Sequence, residues 1–97
     1  MKFGEVIEEL KAGKRIVNEK LSFNRQFIVM QIPQFISGEI VPKMTSLPES
    51  AKLACNNGIA YHDQVLICTW DSELGTYTAT SYVPTWEDIF DESWTIA

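Results

Sequence analysis

The strongest constraint on the fold is a pair of strand-like segments joined by a short polar loop. Residues 64–70 and 76–83 are rich in β-branched and aromatic side chains, and the five residues DSELG at 71–75 separate them. A loop of this length with a glycine is typical of a β-hairpin. The connection is too short for a parallel crossover, so the sequence predicts an antiparallel sheet.

The N-terminal third predicts a helix followed by two strands. Apolar side chains recur at helical spacing over residues 3–12, and Gly13 is a suitable residue to end that helix. Residues 14–20 are predicted to form a short strand, and residues 21–26 a polar connection. Residues 27–32 are predicted to form the next strand, ended by a proline.

The middle of the chain predicts a second helix. Residues 33–45 contain two prolines and a glycine and are predicted to be an extended excursion. The SLPE sequence at 46–49 has the spacing of a capping box, with its proline in the first helical turn. We therefore expect a helix over residues 47–56, closed by Gly58.

A second capping-box-like start lies at Thr85, and it predicts a short helix to about residue 91, with Asp88 near the positive helix end. Trp94 and Ile96 alternate after this helix and are expected to return to the core. The predicted class is α+β: a small antiparallel β-sheet with N-terminal, middle and short C-terminal helices packed on it. No repeat or linker divides the chain, so residues 1–97 are predicted to be a single domain.

Composition excludes several partners. Hydrophobic residues make up 45% of the chain and charged residues 22%, which is typical of a globular protein. Eight basic and thirteen acidic residues give a net charge of -5, and duplex DNA, RNA and anionic membranes all need a basic face. No apolar run has the length of a membrane span and no secretion signal is visible, so we expect a cytoplasmic protein. A local pocket needs only a few donors to bind a small phosphate-bearing ligand.

Metal and catalytic chemistry are weakly supported. Cys55 and Cys68 flank His62, but a structural zinc site needs four ligands at tighter spacing. Two buried thiols in a reducing cytosol are the favoured interpretation. His62 and Asp63 could orient a general base, yet adjacent residues usually point apart and no nucleophile is signposted. We expect a surface histidine, no enzymatic activity and no cofactor.

The acidic residues near the C-terminus have two interpretations. Glu87, Asp88, Asp91 and Glu92 could hold a divalent metal ion. An acidic helix start with a solvated face is the simpler interpretation and is favoured, so no metal is expected. The five glycines form no phosphate-binding loop.

Aromatic side chains are concentrated in the last third of the chain. Stacking on a purine is one use for such rings, and filling a core or a subunit interface is the other. We assign Phe90 and Trp94 to the core or interface, and both uses stay open for Tyr82 and Trp86. The residues are Trp70, Tyr77, Tyr82, Trp86, Phe90 and Trp94.

Several of these segments resemble one family. Residues 1–17 (MKFGEVIEELKAGKRIV), FIVM at 27–30, and YVPTWEDIF at 82–90 followed by Trp94 match the order and spacing of the Thoeris anti-defence 2 family. TSLPES at 45–50 also resembles a segment that some members carry. The resemblance spans most of the chain. It implies a phage-encoded sponge that sequesters a nucleotide immune signal in the cytoplasm of the infected bacterium.

The chain departs from the family pattern at three places. Leu21 stands where the family usually has a first tryptophan, Ser22 and Phe23 replace Asn-Gly, and Tyr82 replaces a second tryptophan. Family members use aromatic residues from these regions to sandwich the base of glycocyclic ADP-ribose. The resemblance therefore implies that ligand, with cyclic di- or trinucleotides as the alternative class.

The resemblance also implies a homotetramer with pockets between subunits. Aromatic rings would hold adenine, and Arg25 or the backbone N–H groups at the Thr85 helix start would hold phosphate. Asn24, Thr85 and Asp88 would meet ribose hydroxyls. The implied ligand-binding residues are Leu21, Phe23, Asn24, Arg25, Phe27, Tyr82, Pro84, Thr85, Trp86 and Asp88, and none is catalytic.

Two other functions remain open. The first is a phage or prophage adaptor that binds a host protein through the aromatic C-terminal region. The second is an enzyme that cleaves the signal. Recovery of intact ligand from a denatured complex distinguishes a sponge from an enzyme.

Overall fold

The computed structural model describes residues 1–97 and divides the chain into two compact units. The first unit comprises residues 1–31 and 64–97, and the second comprises residues 32–63. The helices are α1 (Phe3–Lys11), α2 (Glu19–Phe23), α3 (Glu49–Ala54) and α4 (Trp86–Phe90). The strands are β1 (Ile16–Val17), β2 (Gln26–Gln31), β3 (Gln34–Ser37), β4 (Gly58–Tyr61), β5 (Gln64–Asp71), β6 (Thr76–Ser81) and β7 (Thr95–Ile96).

The first unit is built on a five-stranded sheet in the order β6-β5-β2-β1-β7. Every neighbouring pair is antiparallel, which confirms the predicted α+β class. The hairpin forms as expected: Asp71 pairs with Thr76, and Gly75 takes a φ of +68° to close the loop. That left-handed conformation is open to glycine at little steric cost.

One face of this sheet carries the core of the first unit. Ile16 pairs with Ile28, and Ile28 pairs with Ile67, so the three side chains share a face. The amphipathic helix α1 packs there through Val6 and Leu10. The predicted N-terminal helix is therefore confirmed, together with its burial.

The predicted strand over residues 14–20 and the polar connection over 21–26 are wrong. Only Ile16 and Val17 are extended, because Asn18 begins a helix. The Asn18 side chain accepts a hydrogen bond from the Leu21 backbone N–H at 2.8 Å, and Glu19 lies in the first turn beside the positive helix end. The helix turns Leu21 inward, where it is 4% exposed in the core.

The second unit contains a two-stranded antiparallel sheet of β3 and β4. The predicted excursion over 33–45 is extended only in part, since it contains β3 and a 3-10 helix at Val41–Lys43. Strand β4 was not predicted at all. Gly58 begins it with a φ of +117°, and an added Cβ would meet the Phe35 ring at 2.6 Å, so the close β3–β4 approach requires glycine.

The capping box predicted at Ser46 does not form. Helix α3 begins at Glu49, and Pro48 occupies the N-cap position without a side-chain hydrogen bond. The helix is also shorter than the predicted span of 47–56. Proline pre-sets its own φ but has no side-chain oxygen for capping, so the start of α3 depends on backbone geometry.

No helix in the structure is long and apolar enough to span a membrane.

Candidate functional site

Helix α4 is fixed by the capping box that the sequence predicts. Thr85 Oγ1 accepts a hydrogen bond from the Asp88 backbone N–H at 3.2 Å, and Asp88 Oδ2 accepts one from the Thr85 N–H at 3.0 Å. The Trp94 indole N–H donates to the Asp88 carbonyl at 2.9 Å. Asp88 is only 8% exposed, so its side chain is already committed to holding this corner of the fold.

The electrostatics of this corner keep Asp88 ionised. Burial acts to raise the pKa of Asp88, but hydrogen bonds from Thr85 and the proximity of Tyr82 and Lys20 bring it below its ordinary value. Burial raises the pKa of Tyr82, and the Asp88 carboxylate raises it further. Tyr82 Oη is buried without a hydrogen-bond partner, since it lies close to Asp88 without meeting it in hydrogen-bond geometry. A neutral phenol beside an anionic carboxylate follows.

Two rings of α4 are open to solvent. Trp86 is 72% exposed and Phe90 is 74% exposed, and the rings stack with centroids 5.7 Å apart and an interplanar angle of 26°. The assignment of Phe90 to the core of the chain is wrong, because a five-residue helix turns Ile89 inward and leaves Phe90 on the opposite side. An interface role for Phe90 stays a prediction.

The segment after α4 returns to the core as predicted, but only at one residue. Trp94 is 1% exposed and meets Phe3 edge to face at 5.9 Å. The expectation that Ile96 is buried is wrong, since 46% of it is exposed. Strand β7 lies at the edge of the sheet, where no further strand covers it.

The α2–β2 corner presents a second set of residues implied by the resemblance. Phe23 is exposed at the end of α2, and Asn24 Nδ2 donates to the Lys20 carbonyl at 3.0 Å. Arg25 has a φ of +56°, the only non-glycine residue with a positive φ. Its guanidinium lies 5.1 Å from the centroid of the Trp70 ring, a cation–π distance.

Arg25 belongs to a row of side chains that we call the aromatic–arginine strip. Phe27 and Tyr77 meet edge to face at 5.1 Å, and Tyr77 and Trp70 do so at 5.3 Å. The Arg15 guanidinium lies 5.4 Å from the Phe27 centroid. The strip consists of Arg15, Phe27, Tyr77, Trp70 and Arg25. Arg15 escaped the sequence prediction, because only the pairing of distant strands shows that a cation stands at each end of the aromatic row.

The strip lies on the sheet face opposite the core. Phe27 pairs with Cys68, whereas the core residue Ile28 pairs with Ile67. Side chains alternate between faces along a strand, so Phe27 and Ile28 point to opposite sides. Tyr82 packs against the core cluster, on the side of Ile28.

One chain therefore does not bring all the implied ligand-binding residues together. The Tyr82 backbone N–H donates to the Val65 carbonyl, three residues along β5 from the partner of Phe27, which is about 10 Å. Phe23, Asn24, Arg25 and Phe27 form one group at the α2–β2 corner and the strip. Tyr82, Pro84, Thr85, Trp86 and Asp88 form the other group at α4, and Leu21 lies in the core.

Cavities adjoin both groups. One of about 390 Å³ lies beside Phe23, between α2 and the start of β7. One of about 480 Å³ lies between the start of α1 and the Phe90 end of α4. A smaller apolar cavity of about 210 Å³ is lined in part by Ile28, Tyr82 and Pro84. The second is as large as a small-molecule site needs to be, and each is open on one side.

The other candidate chemistry finds no assembled site. No three side chains of His, Cys, Asp or Glu lie close enough together to hold a metal ion. Cys55 and Cys68 are free thiols, and burial raises the pKa of Cys68. His62 is exposed. Asp91 Oδ1 accepts a hydrogen bond from the Ser93 N–H at 2.7 Å, and that bond lowers the pKa of Asp91.

Comparison with known proteins decides the family. The model of the Thoeris anti-defense 2-like domain matches residues 1–97, the whole chain. The chain belongs to the Thoeris anti-defense 2-like family. Membership supports an anti-defence role and fits a signalling molecule as partner. No curated protein matches the chain.

Proposed function

We propose that this member of the Thoeris anti-defense 2-like family is a phage-encoded sponge. It binds a nucleotide immune signal and sequesters it without degrading it. Glycocyclic ADP-ribose is the first candidate ligand, and cyclic di- or trinucleotides are the alternative. The observation that carries the proposal is the family match over all 97 residues.

The exposed chemistry of the chain supports a ligand with an aromatic base and phosphates. Trp86 presents a free ring for stacking, and a stacked base contributes about 1–3 kcal/mol to binding. Arg15 and Arg25 present guanidinium groups, which bind phosphate oxygens in a bidentate manner. Base and phosphate would thus be held by different parts of the surface.

The electrostatics favour Arg25 over the Thr85 helix start as the phosphate group's partner. The ionised Asp88 carboxylate already accepts the Thr85 N–H and stands at the positive end of α4. A phosphate there would meet a like charge at short range. At Arg25 the nearest charged group on the strip is another cation.

Tight binding supports a site that is shared between subunits. Nanomolar affinity corresponds to about 12 kcal/mol, and ligands of this size reach it when most of their surface is buried. The two groups of implied residues lie on different surfaces of one chain, so a second copy is needed to enclose a ligand between them. A homotetramer with pockets at subunit interfaces meets this requirement, in the cytoplasm where the signal is made.

The test is calorimetric titration of the purified protein with glycocyclic ADP-ribose and with a panel of cyclic di- and trinucleotides. The sponge predicts tight binding of one ligand class. It also predicts recovery of chemically intact ligand, identified by mass spectrometry after heat denaturation of the complex. Recovery of a cleaved product would make the protein an enzyme, and absence of binding across the panel would contradict the proposal.

The second candidate is an adaptor that binds a host protein. The exposed stack of Trp86 and Phe90 favours it, because aromatic residues are enriched in protein interfaces. Capture of one host protein by the wild type and its loss in Trp86→Ala/Phe90→Ala would support the adaptor. Capture that is unchanged in that variant would remove this candidate.

A further inference from the structure

The sheet face that carries the aromatic–arginine strip is unlike the rest of this acidic chain. The strands β2, β5 and β6 place Phe27, Val29, Leu66, Trp70 and Tyr77 on it by register. None of the residues that these three strands present on this face is acidic, although the chain has a net charge of -5. Its only cations, Arg15 and Arg25, stand at the two ends of the aromatic row.

Helix α4 has the complementary chemistry. The stacked rings of Trp86 and Phe90 are largely exposed. Glu87 and Glu92 are exposed carboxylates beside them, while Asp88 and Asp91 are engaged in hydrogen bonds within the chain. The segment from 86 to 92 contains no basic residue. One surface is thus aromatic with two cations, and the other is aromatic with two free anions.

We propose that α4 of one copy of this chain docks on the aromatic–arginine strip of a second copy. The Trp86–Phe90 stack packs against the rings of the strip, and Glu87 and Glu92 pair with the two arginine side chains. A guanidinium over a ring leaves its N–H edge free for a carboxylate, so the cation–π contacts and the ion pairs are compatible. A two-fold axis forms the contact twice, because each copy has both surfaces.

This contact rests on the proposed function only for its ligand. It brings the Phe23–Phe27 group of one copy next to the Tyr82–Asp88 group of the other, which one chain alone does not do. The association itself requires no ligand. Oligomeric state and ligand binding are therefore measured separately.

The test is a charge-swap experiment. Arg15→Glu/Arg25→Glu gives an acidic strip that repels the native α4, and Glu87→Lys/Glu92→Lys gives a basic α4 that repels the native strip. Each variant alone should associate more weakly than the wild type, on the order of 100-fold. When the two are mixed, every contact pairs opposite charges, so a mixed assembly should form with near wild-type affinity.

Light scattering and native mass spectrometry measure the result, since the two variants differ in mass. Circular dichroism confirms that each variant is folded. The matched control is Glu8→Lys/Glu39→Lys, which makes the same change in net charge at exposed sites away from both surfaces, and which should assemble as the wild type does. If a charge-reversal variant does not fold, Arg15→Gln/Arg25→Gln and Glu87→Gln/Glu92→Gln replace the pair and should each weaken association.

A monomeric wild type at micromolar concentration would overturn the inference. So would wild-type association of the swapped variants, failure of the mixture to form mixed assemblies, or equal dissociation of the control. Nucleotide binding by a monomer would overturn this inference and leave the proposed function intact. Mixed assembly without binding of any nucleotide would overturn the proposed function and leave this inference intact.

Discussion

At the scale of single residues, Arg25 combines an unfavourable backbone with a useful side chain. Its φ of +56° is a conformation that glycine adopts readily and that costs other residues about 1–2 kcal/mol. The backbone is held there because the Arg25 N–H donates to Ser22 and its carbonyl accepts from Trp70. The guanidinium over Trp70 offsets part of the cost.

Two substitutions at this position separate backbone from side chain. Arg25→Gly relieves the left-handed backbone but loses the cation–π contact, which is about 0.5–1 kcal/mol at an exposed site. Its stability should therefore be close to that of the wild type. Arg25→Ala keeps the strain and loses the contact, so it should be less stable than Arg25→Gly by about 1 kcal/mol. Urea denaturation measures the difference, and equal stability of the two variants would contradict a strained Arg25.

Asp88 gives a residue-scale prediction with a defined pH dependence. Its pKa in the folded protein is lowered, so its ionised form stabilises the fold above its unfolded-state pKa of about 3.9. That contribution is lost as the pH falls through the folded-state pKa. Asp88→Asn should therefore be less stable than the wild type at pH 7, by about 0.5–2 kcal/mol. The difference should vanish below the folded-state pKa. Melting temperatures from pH 2 to pH 7 test it, and a difference that does not change with pH would contradict it.

At the scale of elements, α3 and α4 show the difference between a capping pattern and a formed cap. Both starts have a hydroxyl residue three positions before an acidic residue. At Thr85 both reciprocal hydrogen bonds form. At Ser46 neither contributes, since Pro48 occupies the N-cap position of α3.

This contrast predicts different costs for the same kind of truncation. Thr85→Ala should lower the free energy of unfolding by about 0.5–2 kcal/mol, because the Asp88 N–H loses its acceptor. Ser46→Ala is the matched control and should change stability by less than about 0.5 kcal/mol. Chemical denaturation of both variants tests the pair. A larger loss for Ser46→Ala than for Thr85→Ala would reverse the assignment.

At the scale of the whole molecule, residues far apart in sequence build the core of the first unit. Its cluster takes Val6 and Leu10 from α1, Ile28 from β2, and Trp94 from beyond α4. Trp94 is also hydrogen-bonded through its indole N–H to the Asp88 carbonyl. Loss of this one side chain affects packing and the position of α4 together.

Trp94→Ala should therefore destabilise the protein by about 3–5 kcal/mol, a large part of the stability of a small domain. We expect a much lower melting temperature or poor expression, measured by calorimetry or by soluble yield. Trp86→Ala is the matched control, because Trp86 is 72% exposed in one chain and should leave folding within about 0.5 kcal/mol of the wild type. Comparable losses in the two variants would contradict the assignment of Trp94 as the structural tryptophan.

The sequence by itself determined the features that depend on neighbouring residues. Helical spacing over residues 3–12 located α1, the Thr85 pattern located α4, and the loop at 71–75 located the hairpin, because periodicity, capping and turn chemistry are local. The local signal at Asn18 was also present and was misjudged, since the β-branched pair before it favoured a longer strand.

Tertiary structure alone decided the pairings between distant segments. The register of β2 against β5 and of β5 against β6 brings Phe27, Trp70 and Tyr77 into one row, and it sets Tyr82 on the opposite face. Shifting either register by one residue would exchange the faces, and no local pattern specifies that choice. The family could therefore be identified from sequence, whereas the separation of its implied ligand residues into two groups required the fold.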